Sequence, residues 1–163
     1  MSKSILTQMM YEDMPSLSYQ KRQAYRTTHR EIVGLFKLLN KEIFNNRLPM
    51  PDFRIIQRSQ DYWGMCSAKH FVPVDNKRSN CVITLNNKWY CKQWLVMTLA
   101  HEMCHQYQWD VLSFKRLKEG KQPLMSHGPS FFLFKHKLAK YGIPLRRAHS
   151  IRQWFTHQNL FKC

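Results

Sequence analysis

Acidic residues are scarce in this chain. Asp and Glu together number 10 against 26 Lys and Arg, which gives a formal net charge of +16. From Gly120 to the last residue there is neither an Asp nor a Glu. A surplus of this size points to a polyanionic partner, with nucleic acid the first expectation. No run of 18 apolar residues occurs, so no membrane span is expected and a membrane is not the expected partner. The first ten residues lack the long apolar stretch of a secretory signal. The five cysteines (Cys66, Cys81, Cys91, Cys104 and Cys163) are odd in number and form no C-x-x-C. Free thiols in a reducing compartment follow, so a cytoplasmic or nuclear protein is expected and a secreted one is not. With 5 Gly and 7 Pro, neither a collagen-like repeat nor a low-complexity linker fits. No internal repeat is found.

What is present suits one globular domain. The chain has 163 residues, 44% hydrophobic and 13% aromatic, enough for a core without disulfide staples. Residues 1–18 read as a lead-in, loosely attached. A domain over 19–145 and a basic aromatic tail over 146–163 complete the expected organisation. A helical period runs from about Tyr19 to Phe44, carried by Ile32, Leu35, Phe36, Leu39, Ile43 and Phe44. Three strand-like pieces follow at Phe53–Ile56, Trp63–Ala68 and Cys81–Leu85. Their spacing suggests an antiparallel meander. The segment Trp89–Trp109 is apolar on every side of a helix, the mark of a buried one. Val111–Met125 is polar and basic and reads as a loop. A further helix opens at Gly128-Pro129, and Gly142 with Pro144 stops it. The expected fold class is α+β.

Inside the buried helix lies His101-Glu102-Met103-Cys104-His105, an H-E-x-x-H. Residues i and i+4 stand one turn apart on one helix face, so two imidazoles there can grip one zinc ion. Zinc brings the pKa of a bound water to about 7, and Glu102 beside it can take the proton. Two His and a Glu buried without a shared partner would cost several kcal/mol. A metal removes that cost. Cys104, three residues after His101, is read as a packing residue.

A catalytic zinc needs a third protein ligand and an open position. Gln108 and Val111 stand where the metzincin pattern needs Gly and His. Glu119 and Asp110 are the acidic options, but Glu119 sits in a Lys-rich stretch that looks like a solvated charge pair. His127 is better placed, directly before the Gly128-Pro129 helix start. Tyr107, Tyr141 and His136 are equal options for a donor to the transition-state oxyanion. Trp94 is expected in the core. Trp63 and Trp154 stand between core packing and base stacking.

The H-E-x-x-H followed by Ser126-His127-Gly128-Pro129-Ser130-Phe131 resembles the SprT-like zinc metalloproteases, the Spartan-related group. Leu95–Leu99, Trp63–Ser67 and Leu39–Phe44 with Leu48-Pro49 are similar to that family too, so the likeness covers about residues 30 to 145. The resemblance implies a zincin-like core: an N-terminal helix, a small, mostly antiparallel sheet, the buried H-E-x-x-H helix, and a next helix carrying the third ligand at its start. It implies one catalytic Zn2+ held by His101, His105 and His127, with Glu102 as general base. It also implies a protease acting on proteins bound or crosslinked to DNA, the DNA being single-stranded or structured. Relatives with a Cys-rich zinc piece after the core differ from this chain, whose tail offers only Cys163. Lys115, Arg116, Lys118, Lys121, Arg146, Arg147, Arg152 and Trp154 are the expected nucleic-acid contacts. A monomer is expected.

Overall fold

The computed structural model describes residues 3–11, 25–57, 62–69, 77–124 and 126–148. Its elements follow the chain as α1 (Ile5–Tyr11), β1 (Tyr25–Arg26), α2 (His29–Glu42), β2 (Asp52–Ile56), β3 (Gly64–Ala68), β4 (Cys81–Asn86), β5 (Lys88–Trp89) and α3 (Lys92–Gln106). A π-helical turn over Tyr107–Leu112 joins α3 to α4 (Ser113–Lys118). A 3-10 turn over Phe131–Phe134 then leads into α5 (Lys135–Lys140).

The first long helix starts later than its apolar period suggests. Tyr25–Arg26 is extended and pairs with Lys88–Trp89. Thr28 caps α2 by accepting the Glu31 N–H at 3.2 Å. The Glu31 carboxylate reaches back to accept from Tyr25 Oη at 2.7 Å and Thr27 Oγ1 at 3.2 Å. Those bonds reward the extended start and leave the helix to begin at His29. Ile32, Leu35, Phe36 and Leu39 are buried, as the period requires. Asn45 and Asn46 take left-handed φ of 55° and 58°, which ends the helical path.

The main sheet has the order β2-β4-β3. The pairing of β3 with β4 is antiparallel and that of β2 with β4 is parallel, so the expected meander is replaced by a mixed sheet. Burial explains the order. Cys81–Asn86 is buried at every position, which suits a central strand covered on both faces. Gly64–Ala68 carries the exposed Met65 and takes the edge. Beneath the sheet, α3 is buried from Gln93 to Gln106. The tight stop after α5 uses Gly142 at φ 79°.

Two further expectations are corrected. The lead-in supplies α1, whose Leu6 and Met10 are fully buried in the core. Gln93 Nε2 donates to the Met9 carbonyl at 3.2 Å, and the Tyr11 ring lies against Gly142. The basic stretch after Val111 is not a loop at its start, since α4 occupies Ser113–Lys118. Ser113 is buried there, and its hydroxyl accepts from Leu124 N at 2.7 Å. Among the described residues no helix is long and apolar enough to cross a membrane.

If α1 is part of the core, Leu6→Ala lowers the unfolding free energy by about 2–5 kcal/mol, the range for truncating a buried Leu. Urea titration of the two proteins measures this. A change below about 0.5 kcal/mol, the size expected at a surface position, would show that α1 is not docked.

Candidate metal centre and active-site cleft

The buried α3 brings His101 and His105 onto one face, one turn apart, with ring centroids 5.2 Å apart. The turn before the 3-10 segment brings His127 to the same place. His127 Nε2 lies 3.1 Å from His105 Nε2 and 3.3 Å from His101 Nε2. The ligand atoms of all three residues lie within 4.8 Å of one another, and the trio can hold a metal ion. A tetrahedral ion bound to imidazoles at about 2.0–2.1 Å separates its ligand atoms by about 3.3 Å, so these spacings fit one. Phe131 backs the cluster. It is fully buried, and its ring centroid sits 4.7, 4.6 and 4.7 Å from those of His101, His105 and His127. An apolar wall on that side leaves the ring nitrogens to face one another.

Electrostatics favours ligand chemistry. Burial pushes the pKa of His105 down, and the neighbouring His127 adds to this against the Gln108 hydrogen bond. Burial and the charge of Arg147 push that of His127 down. Neutral imidazoles are the metal-binding form. Glu102 is 5% exposed. Burial pushes its carboxyl up to about 8, opposed by a hydrogen bond from the Cys66 backbone. Gly64 leaves room here: a Cβ would lie 2.9 Å from Thr98 Cγ2 and 3.2 Å from Glu102 Cγ, so a side chain would crowd Thr98 and press on the Glu102 stem.

The cleft runs beside the edge strand. Gly64, Met65 and Cys66 line it together with His101, Glu102, His105 and His127. On the His101–Glu102 side it continues past Tyr62, Trp63, Thr98 and Arg147.

His101, Glu102, His105 and His127 come together. Glu119 does not join them: it pairs with Lys121 at 2.7 Å and Lys115 at 3.9 Å. Asp110 is occupied by Ser79 Oγ at 2.6 Å, Asn80 N at 2.9 Å and Gln106 Nε2 at 3.0 Å. Lys115, Arg116 and Lys118 lie on α4, with Lys121 just beyond it. Arg116 donates to the Gln122 carbonyl at 3.0 Å, and Lys118 sits over the Phe114 ring. Arg146 is half-buried, and Arg147 is exposed at the cleft. Arg152 and Trp154 lie outside the described residues. Trp94 is fully buried, and Trp63 packs against Trp89, Tyr90 and Trp94. Cys104 is buried in the core, as expected.

None of the three proposed oxyanion donors is placed at the cleft. Tyr107 is buried against Phe44 and Phe134 and bonded to Arg47, while Tyr141 donates to Glu42 at 3.1 Å. His136 is exposed on α5. Tyr62 and Arg147 line the cleft instead. Sequence reasoning also passed over Phe131 as a metal-site wall. Its signal was its place four residues after His127.

Three histidines converging from a helix and a following turn, with a buried glutamate under a small sheet, define a zincin-like centre. The SprT-like family model matches residues 32–149, and the chain belongs to the SprT-like family. Comparison with curated proteins gives no match.

The Glu102 carboxyl makes a pH prediction for the metal-free protein. Its folded pKa, about 8, is above the ordinary 4.5. The protonated form is therefore the one favoured by folding, and its contribution is full below 4.5 and is lost as pH rises through 8. Glu102→Gln removes that loss. Thermal unfolding should show the metal-free variant gaining on wild type as pH rises from about 5 to 8.5. A constant difference between the two across that range contradicts the burial argument.

Proposed function

We propose that the protein is a zinc-dependent endopeptidase acting on proteins associated with or crosslinked to DNA. The observation that carries this reading is Glu102 in the cleft wall beside the three-histidine cluster. A purely structural metal site has no use for that carboxylate. Three imidazoles with an open side suit a catalytic Zn2+ rather than a closed structural one. The ion, when bound, supplies Lewis-acid polarisation of the scissile carbonyl and activation of water. Glu102 would serve as general base toward that water and as general acid toward the leaving nitrogen. Buried and held by the Cys66 backbone, it is oriented for that transfer.

The substrate chain has a natural track. Among the described residues strand β3 has β4 on one side only, and Gly64, Met65 and Cys66 line the cleft. An extended peptide can pair along that edge, with backbone bonds giving affinity without demanding a sequence. Arg147 lines the same cleft and can donate to a substrate carbonyl. We assign Arg147 to substrate and the α4 face, Lys115, Arg116 and Lys118 with Lys121, to DNA phosphates. Such contacts are salt-dependent and sequence-tolerant, which suits a protease that must find protein on any DNA.

The test is cleavage of a basic DNA-binding protein with and without single-stranded DNA, wild type beside Glu102→Gln. DNA-stimulated cutting that disappears in the variant supports the proposal. Zinc and DNA binding without cutting by either protein assigns instead a zinc-stabilised DNA-binding accessory role. In the same assay Arg147→Ala should lower kcat/KM by about 10-fold or more, with zinc content unchanged. An unchanged kcat/KM removes Arg147 from the cleft chemistry.

A further inference from the structure

Gln108 is a fully buried amide in the π-helical turn, three residues after His105. Its Nε2 donates to the Ser126 carbonyl at 2.8 Å and to Ser130 Oγ at 2.7 Å. Its Oε1 lies 3.0 Å from His105 Nδ1. These contacts decide which way the amide faces. A carbonyl oxygen only accepts, so the amide nitrogen must face Ser126. The reverse orientation would set two acceptors against each other at 2.8 Å. Oε1 therefore faces His105, and it too only accepts. His105 must carry its proton on Nδ1. A neutral imidazole has one N–H, so Nε2 is left as a bare lone pair. That nitrogen is the one 3.1 Å from His127 Nε2, inside the cluster.

The same side chain holds the third ligand's loop. Ser126 and Ser130 flank His127 on both sides, and one amide nitrogen bonds to both. The π-helical turn supplies the reach from the end of α3 to this loop. Burial makes the arrangement decisive, because an amide without its partners here would lose several bonds with no water to replace them.

We propose that Gln108 is a positioning residue for the metal centre, selecting the Nδ1–H tautomer of His105 and anchoring the loop that presents His127. The inference rests on the metal-centre reading of the preceding subsection. Outer partners of this kind typically change metal affinity by about 10–100-fold when removed.

Two measurements test it. Long-range 1H–15N correlation of the imidazoles in the metal-free wild type, at about pH 8, reads the His105 tautomer directly. Nδ1–H is expected, and Nε2–H would overturn the proposal. Zinc affinity by chelator competition then compares wild type, Gln108→Leu and Gln108→Glu. The Leu variant, lacking donor and acceptor, should bind zinc about 10–100-fold more weakly. The Glu variant keeps the acceptor for His105 and should bind more tightly than the Leu variant. A Leu variant within about twofold of wild type, or a Glu variant as weak as the Leu one, overturns the role. If the wild type itself binds no zinc, the metal-centre reading fails instead, and the tautomer measurement still reports on Gln108.

Discussion

The structure depends on one constraint, the burial of a polar cluster in the middle of an otherwise apolar helix. His101, Glu102 and His105 lie on α3, which the sheet and the flanking helices cover along its length. Each of those groups would be costly in such a place if it lacked partners. The rest of the fold answers that cost. Strand β3 passes close enough for the Cys66 backbone to hydrogen-bond Glu102, and the missing side chain of Gly64 eases that approach. Phe131 closes the far side of the imidazoles. The turn carrying His127 is drawn in by hydrogen bonds to a residue of the α3 extension.

That extension is where the helix departs from regular geometry. The wider turn over Tyr107–Leu112 carries two functions on neighbouring residues. Gln108 reaches toward the His127 loop, and Asp110 reaches toward the entry of β4 at Ser79 and Asn80. Gln106, fully buried, ties the helix end to the Pro49 carbonyl at 2.7 Å. Sheet entry, helix end and ligand loop are thus tied to one short segment. π-helical turns are often found at functional sites, and here the reason is visible: the extra residue per turn lets polar side chains diverge to different elements.

Much of this was legible in the sequence because periodicity and spacing are local. The i, i+4 histidines and the all-round apolar helix announced α3 and its metal face. The lysine neighbours of Glu119 already mark it as one of a solvated charge pair, and it pairs with Lys121 and Lys115. The order of the sheet was not legible, because β4 becomes central through what covers it, and nothing in Cys81–Leu85 names its neighbours. The parallel pairing with β2 is likewise a tertiary outcome. Helix α1 was missed because seven residues with two buried side chains give too short a period to see. In the sequence Gln108 marks only the absence of the metzincin glycine. A buried amide's role lies in partners 18 and 22 residues away.

The charges of the site follow from the same burial. Without an ion, burial favours a protonated Glu102, and it also favours neutral His105 and His127. Such a cluster carries little charge and can be buried at modest cost. A cation held by the three imidazoles changes the balance, because an opposite charge within a few ångströms favours the carboxylate. Ion uptake and proton release from Glu102 are therefore linked, and each stabilises the other. The basic surface lies outside this exchange. Lys115 and Lys121 are screened by solvent and Glu119 at α4. Arg147 connects the two, since its charge is felt at His127. The large positive surplus at α4 is thus separated from the buried carboxylate, whose protonation would answer to an ion held beside it.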